Sequence, residues 1–226
     1  MLIQRSKQEI NIEAVIRILR IETRKFKVPI VSRIADEESV QKPFLVLISC
    51  LLSLRTKDET TASASERLFN LAGSPREMFG LSTGQIEKAI YPVGFYRVKA
   101  KRIKEICRAL IDKFSSRVPD NLDELLGLKG VGRKTANLVL TEGFGKLGVC
   151  VDTHVHRITN RLGLCRTKEP LDTEMCLRNK LPKRYWIEYN KLLVTWGQNI
   201  CKPISPLCGA CAIEKYCRKI GAVKHR

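Results

Sequence analysis

The ten residues Leu128-Lys129-Gly130-Val131-Gly132-Arg133-Lys134-Thr135-Ala136-Asn137 decide how this chain is read. Just upstream, Asn121 to Gly127 predicts a short helix, with Asn121 and Glu124 spaced as a capping box and Leu122, Leu125 and Leu126 facing inward. Gly130 and Gly132 around a single valine suit a tight hairpin whose backbone takes conformations costly for other residues. From about Arg133 a second helix presents Ala136, Val139, Leu140 and Gly143 to its partner, small enough for close packing. The segment reads helix, hairpin, helix, and the start of the second helix is a ready site for an anion. On the bare Gly-x-Gly an ordinary corner between two helices fits as well.

Outward from this segment, helical periodicity dominates and nothing alternates with period two for long, so the chain is expected to be all-α. Ile12, Val15, Ile16 and Leu19 share one helical face, in a helix ending before Pro29. Ile103, Ile106, Cys107, Leu110 and Phe114 form a second stripe, opposite Arg97, Lys101, Lys104 and Arg108, a basic face that is either solvated or tracks phosphates. Phe44 to Leu54 is an apolar run of 11 residues, a buried helix, because a membrane span needs about 20. Breaks near Pro43, Gly73-Ser74-Pro75, Pro92-Val93-Gly94, Pro119 and Gly145 separate short helices.

The 226 residues fit one large domain or two small ones, and 44% hydrophobic content excludes disorder. Lys plus Arg number 41 and Asp plus Glu 23, so the surplus is 41 − 23 = +18, enough to draw the chain to polyanions. Nucleic acid is the leading partner and a membrane is not expected. Met1-Leu2-Ile3-Gln4-Arg5-Ser6-Lys7 turns polar before a secretory signal could form, so a reducing intracellular compartment is expected. There the nine cysteines are not expected to pair as disulfides.

Two further groups of residues carry chemistry. Lys134 falls in the first turn of the second hairpin helix, where the helix dipole and Arg133 both favour a free amine. Such an amine can attack a carbonyl-like carbon and carry an imine, although a phosphate-contacting lysine is the plainer role. Eighteen residues later Val151-Asp152-Thr153-His154-Val155-His156-Arg157 opens another helix, with Asp152 at the N-cap position. Near the end, Cys201-x6-Cys208-x2-Cys211-x5-Cys217 crowds four thiols into 17 residues bent by Pro203, Pro206 and Gly209. Zinc takes four thiolates, usually from two Cys-x2-Cys arms a dozen or more residues apart, whereas a [4Fe–4S] cluster is often held by one continuous run.

The hairpin sequence closely resembles the helix-hairpin-helix of the endonuclease III family of DNA glycosylases, and the Val-Asp-Thr-His run and the x6, x2, x5 cysteine spacing resemble that family in the same order. The likeness runs from about Pro43 to Cys217. It implies an all-α helix-hairpin-helix glycosylase fold, with a six-helix barrel lobe over about 36–148 that carries the hairpin at about 121–144. A discontinuous cluster lobe of 1–35 and 149–226 would complete it, with DNA in the groove between. It also implies a bifunctional DNA glycosylase and abasic-site lyase acting on oxidised pyrimidines in duplex DNA, monomeric, cytoplasmic and associated with the nucleoid. Lys134 would be the nucleophile and Asp152 the essential carboxylate, acting on a nucleotide flipped from the stack. Cys201, Cys208, Cys211 and Cys217 would hold a [4Fe–4S] cluster. Lys129, Gly130, Gly132, Arg133 and Lys202 would meet the DNA backbone. Two positions depart from the family pattern: its Leu-Leu-Ser-x-Gln here ends in Arg55, and its Gly-Leu-Tyr wedge has Phe95 in place of leucine. Arg55 and Phe95 are expected to enter the gap left by the flipped base from opposite sides. A monofunctional adenine or mismatch glycosylase is the alternative enzyme; it lacks the hairpin lysine and carries a further C-terminal domain, whereas this chain ends nine residues after Cys217. A non-catalytic, metal-stabilised DNA-binding module is the alternative outside catalysis.

Overall fold

A computed structural model describes residues 10–36, 39–224 and 226, so the signal reading of Met1 to Lys7 lies outside the described residues. Among the described residues there is no strand, as the periodicity predicts, and no helix is long and apolar enough to cross a membrane. In chain order the helices are α1 (Ile12–Glu22), α2 (Ile30–Ala35), α3 (Lys42–Ser53), α4 (Asp58–Phe69), α5 (Pro75–Gly80), α6 (Thr83–Ile90), α7 (Tyr96–Phe114), α8 (Leu122–Gly127), α9 (Arg133–Leu138), α10 (Thr153–Leu162), α11 (Pro170–Lys180) and α12 (Trp186–Asn199).

The chain divides into two compact units, one of Val28–Cys150 and one assembled from the two ends, up to Lys27 and from Val151. The family resemblance implies a central lobe of about 36–148. The second boundary lies close to that, while the first lies earlier, because Ile30, Val31, Ile34 and Ala35 of α2 are buried against α3 and α4 and the Ile30 amide donates to Asp58 Oδ2 at 3.0 Å.

In the central unit the apolar run from Phe44 is α3, buried along nearly its whole length, and it packs on α2, α4, α7 and α9. Each such fully buried large side chain, Phe44, Leu47, Ile48 and Leu52 among them, stabilises the unit by about 1.5–3 kcal/mol. Helix α7 buries Ile103, Ile106, Cys107 and Leu110, as the stripe foretold. Its basic face is not all solvated: Lys104 Nζ donates to the carbonyls of Phe79 and Leu81, closing the end of α5, and Lys104 and Arg108 lie over the Phe79 ring. In the terminal unit α10 packs on α11 and α12, and α1 lies along α12. Val15, Ile16 and Leu19 are fully buried there, as are Val155, Ile158, Leu193 and Trp196.

One expectation on cysteine pairing is corrected. Cys165 and Cys176 form a disulfide with Cα atoms 6.2 Å apart. Gly163, in the left-handed region at φ 85°, ends α10 and turns the chain back, so that Cys165 meets α11. Cys50, Cys107 and Cys150 are buried and outside any disulfide, and burial pushes Cys50 and Cys107 up to about 12.

Candidate active site and cysteine cavity

The helix-hairpin-helix forms where the sequence places it, with local differences. Asn121 Oδ1 accepts from the Glu124 amide at 3.0 Å, but the Glu124 carboxylate takes the Asn121 side-chain N–H instead of a backbone one, so only half of the capping box forms. Leu125 faces the core, whereas Leu126 is 37% exposed. Gly130 does adopt the left-handed conformation, at φ 86°, and a Cβ there would sit 2.8 Å from the Arg102 side chain. Gly132 does not; it is extended, at φ −89° and ψ 171°, and a Cβ there would meet nothing. Its bare edge faces open space at the start of α9. The exposed Lys129 ammonium lies 3.6 Å from Glu105, which also pairs with Arg102 at 2.7 Å, so the hairpin is tied to α7.

Lys134 is exposed in the first turn of α9. Beneath it Thr135, Ala136, Asn137 and Leu138 are buried, and the Cys150 thiol donates to the Lys134 carbonyl at 3.6 Å. Lys134 is also the cation acting on the buried Cys50 thiol. Helix α9 runs on into a wider π-helical turn, Val139–Gly143, where Gly143 approaches Pro43 so closely that a Cβ would lie 3.1 Å from its Cα. Lys134 is therefore exposed at the head of a buried helix.

Asp152 lies in the other unit, two residues beyond Cys150. It is the N-cap of α10: Oδ1 accepts from the His154 and Val155 amides, both at 2.9 Å. His154 Nδ1 lies 3.1 Å from Arg157, and His156 Nδ1 lies 2.7 Å from the Thr173 hydroxyl.

Arg55 and Phe95, both in the central unit, have backbones in the left-handed region, at φ 53° and 58°, where bulky residues are strained. Phe95 is 62% exposed. The Arg55 guanidinium lies 5.7 Å from the centre of the Phe95 ring. Gly94 is required here, because a Cβ would lie 2.7 Å from the Arg55 carbonyl.

The four clustered cysteines line a single cavity in the terminal unit, with Ile158, Arg161, Leu162, Trp196 and Ile213 among its walls. No disulfide joins them. Among the described residues no three His, Cys, Asp or Glu side chains converge tightly enough to hold one metal ion. Burial and the neighbouring thiols raise Cys208, Cys211 and Cys217, Cys211 to about 11. Two arginines missed in the sequence line this region. Arg161, buried, donates to Cys201 Sγ at 3.3 Å and to the Lys202 and Pro203 carbonyls at 2.7 Å; Arg157 donates to the Cys201 carbonyl at 2.7 Å. The buried Trp196 indole N–H lies near Cys211 without reaching a hydrogen bond. Cations and an unmet donor around four thiols make a cradle for a negatively charged group. The signal for the arginines was their i, i+4 spacing on α10, one turn beyond Asp152.

A family profile described as HhH-GPD superfamily base excision DNA repair protein matches residues 48–183. Endonuclease III of Thermotoga maritima is 46% identical over 202 residues, 87% of this chain and 95% of that protein. Endonuclease III of Bacillus subtilis is 35% identical over 78% of this chain and 81% of its own length. The mouse endonuclease III-like protein 1 is 40% identical over 77% of this chain, which spans 59% of it. Among solved structures, a non-covalent endonuclease III–DNA complex matches with a TM-score of 0.80 and 32% identity, over 92% of this chain and 94% of that one. A trapped endonuclease III–DNA covalent intermediate matches at 0.75 and 34%, over 92% and 96%. The hairpin and its superfamily thus narrow to one branch: the chain belongs to the endonuclease III family.

Proposed function

We propose that this chain is a bifunctional DNA glycosylase and abasic-site lyase that removes oxidised pyrimidines from double-stranded DNA, with Lys134 as nucleophile and Asp152 as the charge-stabilising carboxylate. One observation carries the assignment: the chain has an exposed lysine in the first turn after its hairpin, and a relative 34% identical to it over 92% of its length forms a covalent intermediate with DNA. The Lys134 amine adds to the first carbon of the deoxyribose as the bond to the damaged base breaks, and the base departs with that electron pair. Positive charge grows on the sugar during this step, and the Asp152 carboxylate stabilises it. The two amide donors on Oδ1 hold that carboxylate in one orientation. Ring opening leaves a protonated imine on Lys134, which acidifies the adjacent C–H bond. Loss of that proton expels the 3′ phosphate by β-elimination. Hydrolysis of the imine then frees the lysine.

Lys129, Gly130, Gly132, Arg133 and Lys202 would contact the phosphate backbone, and Arg55 and Phe95 would fill the space vacated by the flipped base. Cys201, Cys208, Cys211 and Cys217 would hold a [4Fe–4S] cluster, which suits their shared cavity, their continuous run and the two arginines beside it. When bound, the cluster supplies a cross-brace for the loop that presents Lys202. The protein would act as a monomer on chromosomal DNA inside the cell. The test is incubation with duplexes carrying an oxidised pyrimidine or an adenine mismatch. Release of the oxidised base with a cut leaving a 3′ unsaturated aldehyde is expected; release of adenine without a cut would overturn the assignment.

A further inference from the structure

Lys99 is a buried cation that the chemistry above does not use. It lies in the first turn of α7, on the face that carries Ile103 and Ile106 into the core. Its ammonium donates to the Leu52 carbonyl at 2.8 Å, the Leu54 carbonyl at 2.6 Å and the Thr56 hydroxyl at 3.2 Å. Leu52 and Leu54 carry carbonyls at the C-terminal end of α3, where the helix dipole favours a cation, and burial is what acts on its charge.

These three acceptors bracket Arg55. Thr56 Oγ1, besides taking the lysine, accepts from the Gly94 amide at 3.2 Å, next to Phe95. The Lys99 amide in turn donates to the Phe95 carbonyl at 3.0 Å. That backbone bond is the first of α7 and would survive any side chain at this position; the Lys99 side chain grips the Arg55 loop directly and reaches the Phe95 loop through the Thr56 hydroxyl.

We propose that Lys99 is a positioning residue that locks the Arg55 and Phe95 loops into one preorganised wedge, so that α3 and α7 present both side chains to the DNA stack together. The proposal rests on the reading of Arg55 and Phe95 as gap fillers. Preorganisation matters because a wedge already in shape loses less freedom on entering the stack. The benefit is confined to duplex DNA, since a single strand has no stacked gap to fill.

Single-turnover base release is measured for Lys99→Met and Thr56→Val on a duplex and on the same damaged strand alone, and the two rates are expressed as a ratio. Lys99→Met is expected to lower the duplex-to-single-strand ratio about tenfold, and Thr56→Val less, because only the bridging hydroxyl is lost. Adding Phe95→Ala to Lys99→Met should lower the ratio little further, since a wedge already out of place has little left to lose. Equal losses on both substrates, additive losses in the double variant, or an unchanged ratio would overturn the role of Lys99. Should Lys99→Met not fold, the ratio for Thr56→Val decides by itself: a fall supports the role and an unchanged ratio overturns it. If Phe95→Ala and Arg55→Ala leave the ratio unchanged, the gap-filling reading falls and the role of Lys99 with it. If they lower it and the Lys99 and Thr56 variants do not, only the role of Lys99 falls.

Discussion

At the residue scale, Asp152 is asked to do two things with one carboxylate, and substitution separates them. Asn keeps an oxygen that can accept from the His154 and Val155 amides, so Asp152→Asn should fold normally. Removing the charge should slow base release by about 10²–10³. Asp152→Ala loses the cap as well and should be destabilised by about 1 kcal/mol. Thermal unfolding and single-turnover assays on both variants check this; base release near wild type in Asp152→Asn would leave Asp152 a cap only. The cap was legible because Asp followed by Thr and His at the head of an apolar stripe is a local signal. Gly132 was misjudged for the same reason in reverse. A Gly-Val-Gly string suggests two strained positions, yet only Gly130 takes a positive φ. Arg161 and Trp196 stayed hidden because the cysteines they lie against are about 40 and 15 residues away in sequence and only tertiary packing brings them together.

At the element scale, the helices themselves were legible, since periodicity is local, but what their exceptions do was not. Lys99 sits on the apolar stripe of α7, an anomaly visible in the sequence, while its carbonyl partners on α3 were not. Burial lowers the Lys99 ammonium to about 8, so the folded state gives up its proton more readily than the unfolded chain does. The sign follows: the cost of burying the charge is fully present below pH 8 and is relieved as pH rises from about 8 toward the ordinary lysine value near 10.4. Wild type should therefore gain thermal stability relative to Lys99→Met between pH 7 and pH 10. Melting curves of the pair at both pH values test this, and a constant gap would contradict it. The Cys165–Cys176 bond was likewise beyond sequence reading, because it depends on how α10 and α11 pack.

At the scale of the whole molecule, a net charge of +18 and a family fold describe a protein suited to a polyanion, and the cysteine cavity adds a second testable feature. Purified protein should contain about four irons and four sulfides per chain and little zinc, by metal analysis and a broad absorption near 400 nm. Cys201→Ala or Cys217→Ala should lose iron, whereas Cys50→Ser should not; stoichiometric zinc without iron would reverse the assignment. The order of motifs was legible because each is a short run with its own spacing. The division of the chain was less so, because α2 joins the central unit through burial that spacing does not reveal. Central to all of this is the covalent role of Lys134, and borohydride reduction in the presence of abasic duplex DNA tests it most directly. Wild type should become cross-linked with the DNA on a peptide containing Lys134, and Lys134→Gln should bind the duplex but form no cross-link. Cross-linking of Lys134→Gln at the wild-type level would contradict that role.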